Sequence, residues 1–191
     1  MLERIPIAIN ITQRLRKLDT TAEYTIDTDF TLGFLYNFSG EFPSSIKYYE
    51  GLITKNSDAE YLNHVLHNLA NVYIRNGEPE KALEKADLLP RKGNEDLFAD
   101  VFYSNKMYDS ALFYADKAIA DTTTNFIPYL IRAQLVYQKD KKQACEAVTK
   151  AELLSRDGFI IMHRRNYINP FVLYNFKLEE AINELKKKVC E

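Results

Sequence analysis

Four pairs of small residues at nearly constant spacing limit what this chain can fold into. Gly33 and Ser45, Ala70 and Ala82, and Ala99 and Ala111 stand 12 apart, while Ala133 and Ala144 stand 11 apart. The first members follow one another at 37, 29 and 34 residues, an average of about 33, as in solenoids built from helix pairs. A small side chain at each end of such an interval lets two antiparallel helices approach closely where they cross. Large neighbours one turn away fill the remaining space: Leu32 and Tyr36, Leu66, Leu69 and Tyr73, Phe98 and Phe102, Tyr129 and Val136. The connecting turns contain Ser39-Gly40-Glu41 and Asn76-Gly77-Glu78, with glycine in the left-handed position that ends a helix. In the third pair Asn105 is expected to take that position, and the fourth, Lys139-Asp140-Lys141, is one residue shorter. The second helices follow as Ile46-Tyr49-Leu52, Leu83-Ala86, Leu112-Ala115-Ala118-Ile119 and Val148-Ala151, each spaced for one apolar face.

This pattern resembles the tetratricopeptide repeat (TPR) family. The best match is Leu66-x-x-Leu69-Ala70-x-x-Tyr73-x-x-x-Gly77-x-x-x-x-Ala82, followed by Leu32-Gly33-x-x-Tyr36-x-x-x-Gly40. Units three and four are degenerate but keep Ala111, Ala118, Ala144 and Ala151. The resemblance implies an all-α solenoid, a right-handed superhelix of helix-turn-helix units at residues 26–59, 60–91, 92–125 and 126–158. Residues 1–25 and 159–191 would then cap the two ends. A non-repeating helical bundle with small residues at its crossings is the alternative.

The repeat is interrupted once. Ala82 and Ala99 are 17 apart where Ala111 and Ala133 are 22 apart, and Pro90 and Gly93 occupy the shortened interval. The second helix of unit two should therefore stop early, with an irregular bend near residues 88–95. Ser45 to Ala70 has the opposite deviation, with surplus residues around Asn56-Ser57-Asp58. At the N-terminus, Ile7, Ile11, Leu15 and Leu18 share a helical face, whereas Ile5, Ile7, Ile9 and Ile11 alternate as in a strand. A helix capping the first repeat is the preferred expectation, and the second helix of a truncated repeat in a longer array is the other. Beyond Gly158, the stretch Phe159–Met162 is apolar, His163-Arg164-Arg165 is basic, and Asn169-Pro170 has the form of a helix start. Leu178, Ile182, Leu185 and Val189 then share one face of a capping helix.

Cys145 lies early in the second helix of unit four and Cys190 at the end of that capping helix. Antiparallel packing would bring them together, which makes a disulfide geometrically plausible, with two unrelated buried thiols as the alternative. The ending also looks like that of short bacterial TPR proteins with a cysteine-bearing cap, which are often exported to the periplasm. The chain begins Met1-Leu2-Glu3-Arg4 without a signal-peptide pattern. The expectation is cytoplasmic as written, and periplasmic if Met1 replaces a removed signal and the cysteines are bridged.

Composition narrows the chemistry. The 191 residues carry Lys+Arg 25 against Asp+Glu 27, a net charge of -2, which disfavours a coat for nucleic acid. No apolar run reaches the roughly 20 residues that span a bilayer. Glu60, His64 and His67 share one helical face, a weak metal-ligand pattern with no evident fourth ligand. Asp96 and Asp100, one turn apart, are an acid pair or simply a solvated acidic face. No phosphate loop, nucleophile elbow or Cys-His pair with an orienting partner is present in the sequence, so no catalytic residue and no cofactor are expected.

The resemblance implies a partner-binding groove along the inner faces of the first helices. It would be lined by Phe30, Phe34 and Asn37, then His64, His67 and Asn71. Asp96, Asp100 and Tyr103 would follow, and finally Leu130, Gln134 and Tyr137. Aromatic at one end and acidic in the middle, such a surface suits an apolar protein segment bearing Lys or Arg and repels acidic tails. The expected function is a non-catalytic adaptor. The alternatives are a peptide-responsive sensor and a metal-binding protein or enzyme using His64 and His67.

Overall fold

The computed structural model describes residues 5–18, 21–55, 58–157 and 176–191. Among the described residues there are ten α-helices and no strand. The chain divides into two compact units, residues 1–90 and 91–191. The first contains α1 (Ile5–Leu18), α2 (Ala22–Ser39), α3 (Phe42–Lys55), α4 (Ala59–Arg75) and α5 (Pro79–Ala86). The second contains α6 (Glu95–Ser104), α7 (Tyr108–Ala120), α8 (Ile127–Val136), α9 (Lys141–Asp157) and α10 (Phe176–Cys190). Within each unit every helix packs on the next, and alternate helices also touch: α2 on α4, α6 on α8, α8 on α10. This neighbour pattern is that of an all-α helical repeat.

The small residues sit where the helices of a pair cross. Ser45, Ala70, Ala82, Ala99, Ala111, Ala133 and Ala144 are all fully buried. At Gly33 the space is taken by a ring from the facing helix: a Cβ there would lie 2.9 Å from Cε1 of Tyr49. Ser45 Oγ donates to the Gly33 carbonyl at 2.6 Å, so this crossing joins the helices through a side chain where the others use alanine contact. Tyr49 is buried with no hydrogen-bond partner for its hydroxyl, and burial raises the pKa of that group above the ordinary tyrosine value, with Tyr61 adding a smaller push.

Three turns share one geometry. Gly40 and Gly77 have φ of 82° and 77°. The amide after each reaches back five residues, Glu41 to the Tyr36 carbonyl and Glu78 to the Tyr73 carbonyl, both at 2.9 Å. In the third pair the left-handed residue is Lys106 (φ 61°), with Met107 bonded to the Phe102 carbonyl at 2.9 Å. This corrects the expectation for Asn105, whose φ is -85° and whose side-chain amide instead donates to the Val101 carbonyl. Gly40, Gly77 and Lys106 each follow the small residue by seven positions, so register decided the turn and residue type did not. None of the residues joining α8 to α9 has a positive φ, consistent with the interval of 11 there.

α5 has eight residues and stops at Ala86, before Pro90. The stretch ahead of α6 is bound to its own unit. Gly93 donates its amide to Glu95 Oε2 at 2.8 Å, Glu95 pairs with Lys117 of α7 at 3.1 Å, and the Arg91 guanidinium lies 3.9 Å from the centre of the Phe98 ring.

The two terminal segments are both helical, but only one of them packs as the periodicity implied. α1 buries Ile5 and Ile9, while Ile7, Ile11, Leu15 and Leu18 face outward. The expected inner face is thus the outer one. The reason is polar: Gln13 and Arg16 lie on the Ile5–Ile9 side, where Gln13 donates to the Tyr36 hydroxyl at 2.7 Å and Arg16 pairs with the buried Asp29. Asp29 also takes Lys55 at 3.0 Å, so one carboxylate ties α1, α2 and α3. At the other end, Ile182, Leu185 and Val189 of α10 are buried with Ala133, Ala144, Ala147 and Val148. Cys145 and Cys190 are joined in a disulfide, and Lys186 pairs with Glu152 at 2.6 Å. The expectations for Asn56-Ser57, Phe159–Met162, His163-Arg164-Arg165 and Asn169-Pro170, and for the side chain of Leu178, fall outside the described residues.

Candidate functional site

The expected groove residues lie on α2 and α4 in the first unit and, in the second, on α6 and α8, with Tyr137 just past the end of α8. Their surroundings differ widely. On α2, Phe30 is half-buried, edge-on to Tyr49 with ring centres 5.6 Å apart and tilted against Tyr61 at 5.8 Å. Phe34 is half-buried against Phe38 at 5.6 Å. Asn37 has no exposed surface: Arg75 at the end of α4 donates to its carbonyl at 3.0 Å and to its side-chain oxygen, while its amide nitrogen has no partner. Asn71 is buried too, so neither asparagine presents its side chain to solvent.

His64 and His67 are half-buried on α4, and the His64 carbonyl accepts from Asn68 Nδ2 at 2.8 Å. Among the described residues, no three His, Cys, Asp or Glu side chains converge as a metal site would require. Glu60 shares a helix with these histidines, but the three do not form such a cluster.

In the second unit the acids divide their roles. Asp96 accepts from the Leu97 amide at 2.9 Å and from Asn125 Nδ2 at 2.8 Å, which fixes it against the start of α8. Asn125 in turn accepts the Ile127 amide at 3.0 Å. Asp100, partly buried, has its carboxyl pushed up to about 7, first by loss of water and then by Asp96. Tyr103 is half-buried beside Tyr108, ring centres 5.7 Å apart, and its hydroxyl is raised by burial first, then by Tyr108 and Asp100. These groups form a patch of two acids and two phenols on and beside α6, with Tyr108 exposed at its edge.

On α8 the positions diverge. Gln134 is exposed. Leu130 and Tyr137 pack against the cluster that holds α10, and the Lys188 ammonium stands 4.3 Å from the centre of the Tyr137 ring. The Tyr137 hydroxyl is lowered by the Gln138 hydrogen bond first and then by Lys188. The C-terminal helix therefore covers part of the face that a fourth repeat would offer.

Arg75, Arg91 and Lys188 shape these surfaces, and sequence reasoning missed all three. Arg75 and Lys188 act on groups 38 and 51 residues away, a separation that no local spacing marks, whereas Arg91 meets Phe98 seven residues on. Only Arg91 had a signal, its place in the shortened interval between Pro90 and Gly93.

No family model matches the chain, and no curated protein matches it. No described helix is long and apolar enough to cross a membrane.

Proposed function

We propose that the chain is a TPR-type solenoid with helical caps, a non-catalytic protein-interaction module that receives a partner segment on the faces of α2, α4, α6 and α8. The observation that carries this reading is the contact of alternate helices, α2 with α4 and α6 with α8, at crossings closed by buried small residues. In each unit that arrangement sets first-helix faces side by side, with aromatic side chains on α2 and acidic ones on α6, and among the described residues no three His, Cys, Asp or Glu side chains converge. The acid-phenol patch of Asp96, Asp100 and Tyr103 suits an apolar segment bearing Lys or Arg, whose cation would keep Asp100 ionised on binding.

Peptides selected by display on the intact chain, then measured by calorimetry, test this. Selected sequences should be apolar with Lys or Arg, and Asp100→Lys combined with Tyr103→Ala should weaken their binding at least tenfold. Binding unchanged in that variant sinks the groove reading. The Cys145–Cys190 disulfide supports an oxidising compartment for the working protein, where such bonds persist. Alkylation of thiols before lysis checks this, since two alkylated cysteines would place the chain in a reducing compartment.

A further inference from the structure

We propose that the outward face of α1 is a second docking surface, one that takes an acidic amphipathic helix of another protein. Ile7, Ile11, Leu15 and Leu18 are 59%, 51%, 42% and 83% exposed. They fall at successive steps of four, four and three residues, a continuous ridge of the kind that seats in the groove of a second helix. α10 shows the same kind of stripe when covered, with Ile182, Leu185 and Val189 at 2%, 8% and 1%.

Arg14 decides the chemistry of the occupant. It follows Ile11 by three residues and precedes Leu18 by four, so it stands within the stripe, and it is exposed. α1 carries Arg14, Arg16 and Lys17 and no acid. Arg16 is engaged by Asp29 on the inner face, which leaves Arg14 and Lys17 on the outer side. Whatever covers the ridge must supply a carboxylate to Arg14 or bury a lone cation, which is strongly unfavourable.

A second copy meets this poorly. Antiparallel pairing of two α1 helices sets each Arg14 on an apolar stripe without an acid, and parallel pairing sets Arg14 near Arg14. An anionic bilayer would offer counter-charge, but two cations fall short of the four to eight clustered Lys/Arg that anchor a protein there. Nor does α1 carry the aromatic residues that settle at a membrane interface. A helix with its own Leu or Ile stripe flanked by Glu or Asp satisfies both the ridge and the charge.

The probe is a labelled synthetic helical peptide with leucines at i, i+4, i+7 and i+11 flanked by glutamates, compared with its lysine-flanked twin. Binding to the intact chain is followed by fluorescence anisotropy. The glutamate peptide should bind at least tenfold more tightly than the lysine peptide. Ile7→Ser with Leu18→Ser should remove that binding, and Arg14→Glu should reverse the preference. Both substitutions alter exposed side chains, and unchanged far-UV circular dichroism confirms that the fold is kept. Asp100→Lys with Tyr103→Ala should leave this binding intact, which separates it from the groove. Equal affinity for both peptides, or none for either, overturns the proposal. So does concentration-dependent dimerisation that the Ile7→Ser, Leu18→Ser variant abolishes. So also does retention on phosphatidylserine vesicles through the same residues.

Discussion

The two terminal helices make the same kind of sequence and are held in opposite ways. α10 turns Ile182, Leu185 and Val189 inward, closes a covalent link from Cys190 to Cys145, and adds the Lys186–Glu152 pair. α1 buries only Ile5 and Ile9 and is held by the buried Asp29 carboxylate and the Gln13–Tyr36 hydrogen bond. The difference teaches that an amphipathic pattern sets a helix, while the face it buries is chosen by whichever partner has the stronger claim. For α10 that partner is the alanine-rich surface of α8 and α9. For α1 it is one carboxylate on α2.

The largest effect is expected where the contrast is sharpest. Cys190→Ser opens a loop whose ends are 45 residues apart, and loop-closure entropy assigns that loss about 4 kcal/mol. Urea unfolding of the intact chain should show it, dithiothreitol should reproduce it in the wild type, and the variant should no longer respond to dithiothreitol. No change in either would mean that the apolar stripe alone holds α10.

Asp29→Ala is the counterpart for α1. The Arg16 and Lys55 side chains are 36% and 45% exposed and would regain water, so the expected cost is about 2 kcal/mol, below that of a fully buried pair. Amide hydrogen exchange should quicken in α1 and stay unchanged in α10. Equal acceleration at both ends would break the comparison.

Asp29 and Asp100 extend the contrast to two sheltered acids, one paired with two cations and the other beside a second acid, Asp96. Folded Asp100 keeps its proton up to about 7, whereas its ordinary value is 3.8. The folded state therefore holds more protons between those values, and stability falls as pH rises through that window. Asp100→Asn should stabilise the second unit at pH 8 by an amount on the order of 1 kcal/mol and change little at pH 4. Melting curves at the two pH values check this, and a larger gain at pH 4 would contradict the sign.

The smallest effect is a gain. Tyr49→Phe removes a buried hydroxyl that has no partner, and thermal unfolding should move up by the equivalent of about 0.5–1 kcal/mol. A loss of stability would mean that the hydroxyl is bonded in solution.

Much of the fold was legible because its determinants are local. Pairs such as Ala70 and Ala82 must be small wherever two adjacent helices cross, and Gly40 and Gly77 mark turns by their own backbone freedom. Pro90 and Gly93 stand where the short α5 has ended. Less of the candidate site was legible. Position on a first helix pointed to Phe30, Asp96 and Asp100 as candidates, but gave no sign of the arginine that encloses Asn37 or the lysine beside Tyr137. Those contacts join residues 38 and 51 positions apart, and nothing in either neighbourhood records the other.

By itself the sequence determined the helical hairpins, the register of their turns and the cysteine positions, since steric fit at a crossing and φ preference at a turn act over a few residues. Tertiary structure alone decided that Tyr49 fills the slot at Gly33 and which side of α1 faces inward. Each of those outcomes is a competition between distant groups for one space or one charge, and only the folded chain sets the competitors side by side.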